Sequence, residues 1–70
     1  MISPQQVRAA RSLIGFHQGE LAKRAALSIN TVFAYERHGC VSAKTKERIT
    51  SALERLGIEF IENGVRLRAE

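Results

Sequence analysis

The hydrophobic positions of the chain repeat at helical spacing as far as residue 56 and then begin to alternate. Val7, Ala10 and Ile14 stand at i, i+3 and i+7, which predicts an amphipathic helix with one apolar stripe. Ser3 is a typical N-cap before this stripe, and Gly15 is a typical left-handed C-cap after it. The pattern therefore predicts a first helix between Ser3 and Gly15.

Three more helices are predicted, each with one apolar side. Residues 18–25 indicate a short second helix, and residues 28–37 indicate a third helix that Ser28 caps. Ser42 is the predicted cap of a longer fourth helix, which ends at Leu56. The core positions expected in these three helices are Leu21, Ala22, Ala25, Val32, Tyr35, Ile49, Leu53 and Leu56, with Ile29 partly facing the core.

The C-terminal segment has the alternation of a β-hairpin. Apolar and polar residues alternate on both sides of Asn63-Gly64, a pair that favours a two-residue type I′ turn. In the register that this turn predicts, Phe60 faces Leu67, and Ile58 shares their face. An isolated hairpin is marginal in water, so we expect this face to pack on the fourth helix.

Length and composition limit the possible classes of protein. Seventy residues make one domain, which we divide into a helical part (1–57) and its hairpin (58–70). The longest apolar run has four residues and no leader is visible, so we expect a cytoplasmic protein without a membrane span. Cys40 is the single cysteine, and beside His38 it does not supply the three or four ligands that zinc needs. We expect no metal, no cofactor and no enzymatic activity.

The positive charge is concentrated in the helical part. Residues 1–50 carry eight basic and three acidic side chains, a net charge of +5. Residues 51–70 carry three basic and four acidic ones, a net charge of −1. A polyanionic partner for the first fifty residues is one interpretation, and a solvated basic face is the other.

The segment from Gln18 to Arg37 resembles the helix-turn-helix of the Cro/repressor-type (XRE) family. The matching positions are Gln18 at the helix start, Leu21-Ala22 inside it, Ser28 as the second cap, then Thr31-Val32 and Tyr35-Glu36-Arg37. The resemblance covers roughly residues 5–56. It implies a mainly α fold, a four- to five-helix Cro/repressor-like domain with a short C-terminal β-hairpin, in a protein associated with the nucleoid.

The resemblance also implies a DNA-binding surface, because such proteins place the second helix of the motif in the major groove. The residues expected to read bases are Ile29, Asn30, Thr31, Phe33 and Ala34. The residues expected at phosphates are His17, Gln18, Ser28, Arg37, His38, Lys44 and Lys46. For Phe33 two roles stay open, contact with thymine methyl groups or cover for the core or a dimer seam.

Two further positions follow from the family pattern. Arg11 lies in the apolar stripe of the first helix and needs a partner, which the resemblance implies is Glu36; the other role for Arg11 is a DNA contact. Ala26 stands at a turn position where the family often has glycine. A left-handed backbone at alanine would cost about 1 kcal/mol.

The function expected from these features is repression of transcription by a homodimer that occludes a palindromic double-stranded operator. Its expected dimer interface consists of Ile58, Phe60, Ile61, Val65 and Leu67. The alternative is an antitoxin-like interaction module whose C-terminal tail binds a partner protein.

Overall fold

The computed structural model describes residues 2–68, which form four helices and a two-stranded antiparallel sheet. In chain order the elements are α1 (Pro4–Ile14), α2 (Gln18–Ala25), α3 (Ile29–His38), α4 (Ala43–Arg55), β1 (Ile58–Ile61) and β2 (Gly64–Leu67). The predicted mainly helical class with a C-terminal hairpin is confirmed. Within residues 2–68, none of the helices combines the length and the apolar character that crossing a bilayer requires.

Serine residues are the N-caps of three of the four helices, as predicted. Ser3, Ser28 and Ser42 each accept a hydrogen bond, 3.2 Å long, from the backbone N–H three residues further on. Each bond satisfies a donor that has no acceptor within its helix. The start of α2 is held differently, because the Glu20 carboxylate accepts the backbone N–H of His17 at 3.0 Å.

One hydrophobic core joins all four helices to the hairpin. Tyr35 is its largest fully buried side chain, and burial raises the pKa of its hydroxyl. The buried members are Val7, Ala10, Leu21, Ala22, Ala25, Val32, Tyr35, Ile49, Ala52, Leu53 and Ile58. Most of the core predicted from helical spacing is therefore confirmed, and it also includes the first residue of the hairpin. The exceptions are Ile14 and Leu56, which are half-buried, and Ile29, which is 52% exposed.

The register of the hairpin differs from the prediction by two residues. Phe60 pairs with Val65 rather than with Leu67, and the turn is formed by Glu62 and Asn63. Asn63 adopts a left-handed φ of 61°, whereas the predicted type I′ turn needs two consecutive residues with positive φ. A shift of two residues keeps every side chain on its predicted face, so the apolar face was assigned correctly although the partners were not.

A contact with α1 explains the observed turn. The Gln6 side-chain amide donates to the carbonyl oxygens of Ile61 at 2.7 Å and of Gly64 at 3.0 Å. These two carbonyls flank the turn, so Gln6 stabilises a hairpin that closes between them. The preference of Asn63-Gly64 for a type I′ turn, which is purely local, is overridden by this tertiary contact.

The five residues predicted for a dimer interface do not form one exposed surface. Ile58 is only 1% exposed and belongs to the core, so its assignment to the interface is wrong. Phe60 and Val65 pack partly against the same core. Ile61 and Leu67 are 42% and 51% exposed, and their places in the ladder put them on opposite faces of the sheet.

Ala26 has the left-handed conformation that its place in the turn predicts. Its φ and ψ are 58° and 44°, and it is the C-cap of α2. The Arg48 guanidinium donates to its carbonyl at 3.2 Å, which helps hold the turn. An L-residue other than glycine is strained in this region because its Cβ approaches the following carbonyl.

We expect Ala26→Gly to raise the free energy of unfolding by about 1 kcal/mol, because glycine has no Cβ to strain. Thermal unfolding followed by circular dichroism should show a midpoint about 4–8 °C higher. Ala9→Gly is the matched control, since Ala9 is exposed within α1 and the same change there should cost about 1 kcal/mol. A midpoint for Ala26→Gly below that of the wild-type protein would show that Ala26 is not strained.

Candidate nucleic-acid interface

The hydroxyl groups at the start of α3 are used within the protein. Ser28 Oγ accepts the Thr31 backbone N–H and lies 2.9 Å from Thr31 Oγ1. Both side chains therefore fix the direction in which α3 leaves the turn. Ser28 and Thr31, predicted at a phosphate and at bases, have at least this structural role.

The exposed side of α3 is unusually apolar. Ile29 is 52% exposed and Phe33, one turn later, is 48% exposed. Asn30 is exposed beside them. Two of the five residues predicted to read bases are polar, Asn30 and Thr31, and of these only Thr31 takes part in the cap of α3. Ala34 is half-buried. We call Ile29, Asn30 and Phe33 the α3 face.

Phe33 is 48% exposed and does not belong to the hydrophobic core, so its predicted role as cover for the core is wrong, while contact with DNA and a place in a dimer seam stay predictions. The guanidinium of Arg37 lies over its ring, 5.9 Å from the centroid. Cation–π attraction at this distance holds Arg37 beside the α3 face without neutralising its charge. Arg8, Gln18 and Glu36 complete the groove into which Phe33 and Arg37 project.

Glu36 is the buried centre of polar contacts behind this groove. Arg11 binds its carboxylate through two hydrogen bonds, Nε to Oε2 at 2.6 Å and Nη2 to Oε1 at 2.8 Å. The structure thus contains the Arg11–Glu36 ion pair, with side chains 18% and 4% exposed. The bond to Glu36 raises the pKa of Arg11, with burial acting in the opposite direction. Arg11 therefore links α1 to α3, its predicted structural role.

Gln18 also contacts this centre. Its side-chain amide donates to Glu36 Oε1 at 3.1 Å, so one of its two N–H groups is held inward. The other predicted anion contacts at this helix start are backbone N–H groups, but that of His17 already donates to Glu20 Oε1 and that of Glu20 to the His17 carbonyl. His17 beside them is exposed. Gln18 thus connects the start of α2 to α3.

No protein-family model matches the chain, and no curated protein matches it in sequence. Within the part of the chain that the structure describes, no three His, Cys, Asp or Glu side chains gather as metal ligands would.

The basic residues predicted for the junction of α3 and α4 are only partly brought together. Arg37 and His38 are both exposed at the end of α3, and His38 Nδ1 accepts the backbone N–H of Cys40 at 3.1 Å. Lys44 lines a groove with Arg24 and Arg48, whereas Lys46 is half-buried in a different groove. The structure therefore places the two lysines on different sides of α4.

Arginine side chains on backbone carbonyls are a feature that the sequence analysis missed. Arg8 donates to the carbonyl of Glu36, Arg48 to that of Ala26 and Arg68 to that of Glu54. These carbonyls lie at the C-terminal ends of α3, α2 and α4, where helices leave acceptors unsatisfied and favour positive charge. The only sequence signal was the position of Arg8, three residues before Arg11 on the same side of α1.

Proposed function

We propose that this chain is a double-stranded-DNA-binding regulator of transcription that binds a palindromic operator as a homodimer and represses by occluding it. The observation that carries the proposal is the α3 face, which is exposed and apolar with one free amide. This face stands on a helix whose start is capped by Ser28 and whose end is tied to α1 through Glu36. Rigid presentation of this kind is what base recognition requires.

The chemistry of the α3 face suits the edges of base pairs in the major groove. An asparagine amide can bond to both N6 and N7 of adenine, which is the role proposed for Asn30. Ile29 and Phe33 offer the apolar contact that a thymine methyl group accepts. With no arginine or glutamine on this face, we expect sites rich in A·T pairs, with part of the specificity from DNA shape.

The arrangement of helices supports a Cro/repressor-type helix-turn-helix. Three residues, 26–28, connect α2 to α3, and the left-handed Ala26 reverses the chain between them. In such a motif the N-terminal residues of the second helix contact bases. Arg37, which is exposed at the far end of α3, would then lie toward a phosphate strand.

Footprinting of the purified protein on random DNA and on the DNA upstream of its own gene tests this proposal. We expect a protected, two-fold symmetric site with half-sites about 34 Å apart. The logarithm of the affinity should fall linearly with the logarithm of the salt concentration, with a slope of about −0.9 for each phosphate contacted. Absence of any footprint together with no salt dependence would contradict DNA binding.

A second candidate is the antitoxin-like interaction module, which the exposed Ile61 and Leu67 of the hairpin favour. In that case substitution of these residues would abolish binding to a partner protein and leave any footprint unchanged.

A further inference from the structure

A groove of about 460 Å³ lies along α4, away from the residues proposed to read DNA. Its walls include Ile2, Phe60 and, from α4, Lys46, Glu47, Thr50 and Glu54. We infer that this surface, the α4 groove, is where a second copy of the chain packs, with the two α4 helices antiparallel and Thr50 on the two-fold axis. The five hairpin residues predicted for this role do not form one surface, and of them only Phe60 lines the α4 groove.

Two of the three charged side chains in the α4 groove, Lys46 and Glu54, are complementary to each other under a two-fold rotation. Lys46, Thr50 and Glu54 are four residues apart in sequence and therefore share one side of α4. Lys46 and Glu54 are separated by about 12 Å along the helix, too far to pair within one chain. Neither takes part in a salt bridge among residues 2–68.

Antiparallel packing about Thr50 resolves both of these unpaired charges. A residue that precedes Thr50 faces the residue that follows Thr50 by the same number of positions in the other copy. Lys46 of one copy therefore meets Glu54 of the second copy. The symmetry of the dimer repeats the contact, which gives two ion pairs for one interface. A slip of one residue would bring Lys46 to Arg55, so the charges also select the register.

The shape and polarity of the groove agree with a close approach of two helices. Ala43 and Thr50 are small, and Thr50 Oγ1 already donates to the Lys46 carbonyl at 2.8 Å. No unsatisfied hydroxyl donor would therefore be buried at the axis. Ile2 and Phe60 are half-buried at the edges and would lose their remaining exposure against the second copy.

Sedimentation equilibrium of the full chain without DNA tests the inference. We expect the wild-type protein to dimerise, and Lys46→Glu or Glu54→Lys each to raise the dimer dissociation constant at least about tenfold, because like charges then meet. An equimolar mixture of the two variants should dimerise like the wild type, since each mixed contact again joins opposite charges. The double variant Lys46→Glu/Glu54→Lys should do the same.

Lys44→Glu is the matched control, because it makes the same change of charge on a different side of α4. It should leave dimerisation unchanged, and circular dichroism should show that all variants are folded. A wild-type protein that stays monomeric at millimolar concentration would overturn the inference. So would a mixture that associates no better than its components, or a dimer that Leu67→Asp disrupts and the two charge reversals do not.

The inference rests on the proposed function only in that a palindromic operator calls for two copies. Because the experiment contains no DNA, its outcome does not depend on whether an operator exists. Failure to bind DNA would leave the dimer standing, and a monomer that gives a footprint would overturn only the α4 groove.

Discussion

Glu36→Ala is expected to lower the free energy of unfolding by about 3–5 kcal/mol, because it leaves the guanidinium of Arg11 buried without its partner. The carboxylate receives three hydrogen bonds, two from Arg11 and one from Gln18. A domain of this length has a stability of roughly 3–10 kcal/mol, so a loss of this size removes between about a third and all of it. Urea unfolding followed by circular dichroism measures the loss.

A double variant that removes both charges distinguishes the effect of an unpaired charge from the effect of lost packing. Arg11→Met with Glu36→Leu removes both charges and should recover most of the stability, since no unpaired charge remains. Glu62→Ala is the control, because Glu62 is an exposed residue of the hairpin turn and should change stability by less than about 0.5 kcal/mol. If the double variant is as unstable as Glu36→Ala, the unpaired charge of Arg11 is not the cause of the lost stability.

Asn30→Ala should weaken operator binding by about 1–3 kcal/mol, or roughly five- to 150-fold, and relax the preference for one base pair of each half-site. The proposed reason is loss of the bidentate bond to adenine. Binding measured by anisotropy against operators changed at single positions would locate the relaxed base pair. Because Asn30 is exposed on α3, its removal should not alter the thermal midpoint by more than a few degrees.

Arg37→Ala provides the contrasting result, since its proposed partner is a phosphate. Affinity should fall by a similar factor on every sequence, and the slope of log affinity against log salt should become smaller by about one. If Arg37→Ala instead changed the preferred sequence and Asn30→Ala did not, the proposed orientation of α3 on DNA would be wrong.

Local signals in the sequence predicted the helices well. A serine cap before an apolar stripe depends only on neighbouring residues, and Ser3, Ser28 and Ser42 all begin helices. The Arg11–Glu36 pair was also predictable, because a charge within an apolar stripe requires a partner and the family resemblance suggested which one. The exposure of Phe33 followed less directly, since its helical position alone left two environments open.

Features that depend on distant parts of the chain were beyond these signals. The hairpin register was predicted from Asn63-Gly64, but Gln6 of α1 binds the carbonyls beside the turn. The burial of Ile58 depends on how the hairpin lies on the helices. The separation of Lys44 and Lys46 into different grooves, by contrast, could have been predicted, because residues two apart on a helix do not share a side.

The bond from Gln6 to the hairpin has a consequence for the order in which the chain assembles. It joins residues 55 and 58 positions apart, so it closes a loop that contains most of the protein. Closing so long a loop costs more chain entropy than forming contacts between neighbours in sequence such as α2 and α3. We expect α2 and α3 to associate first and α1 and the hairpin to come together late. Contact between the two ends of the chain then completes the folded state.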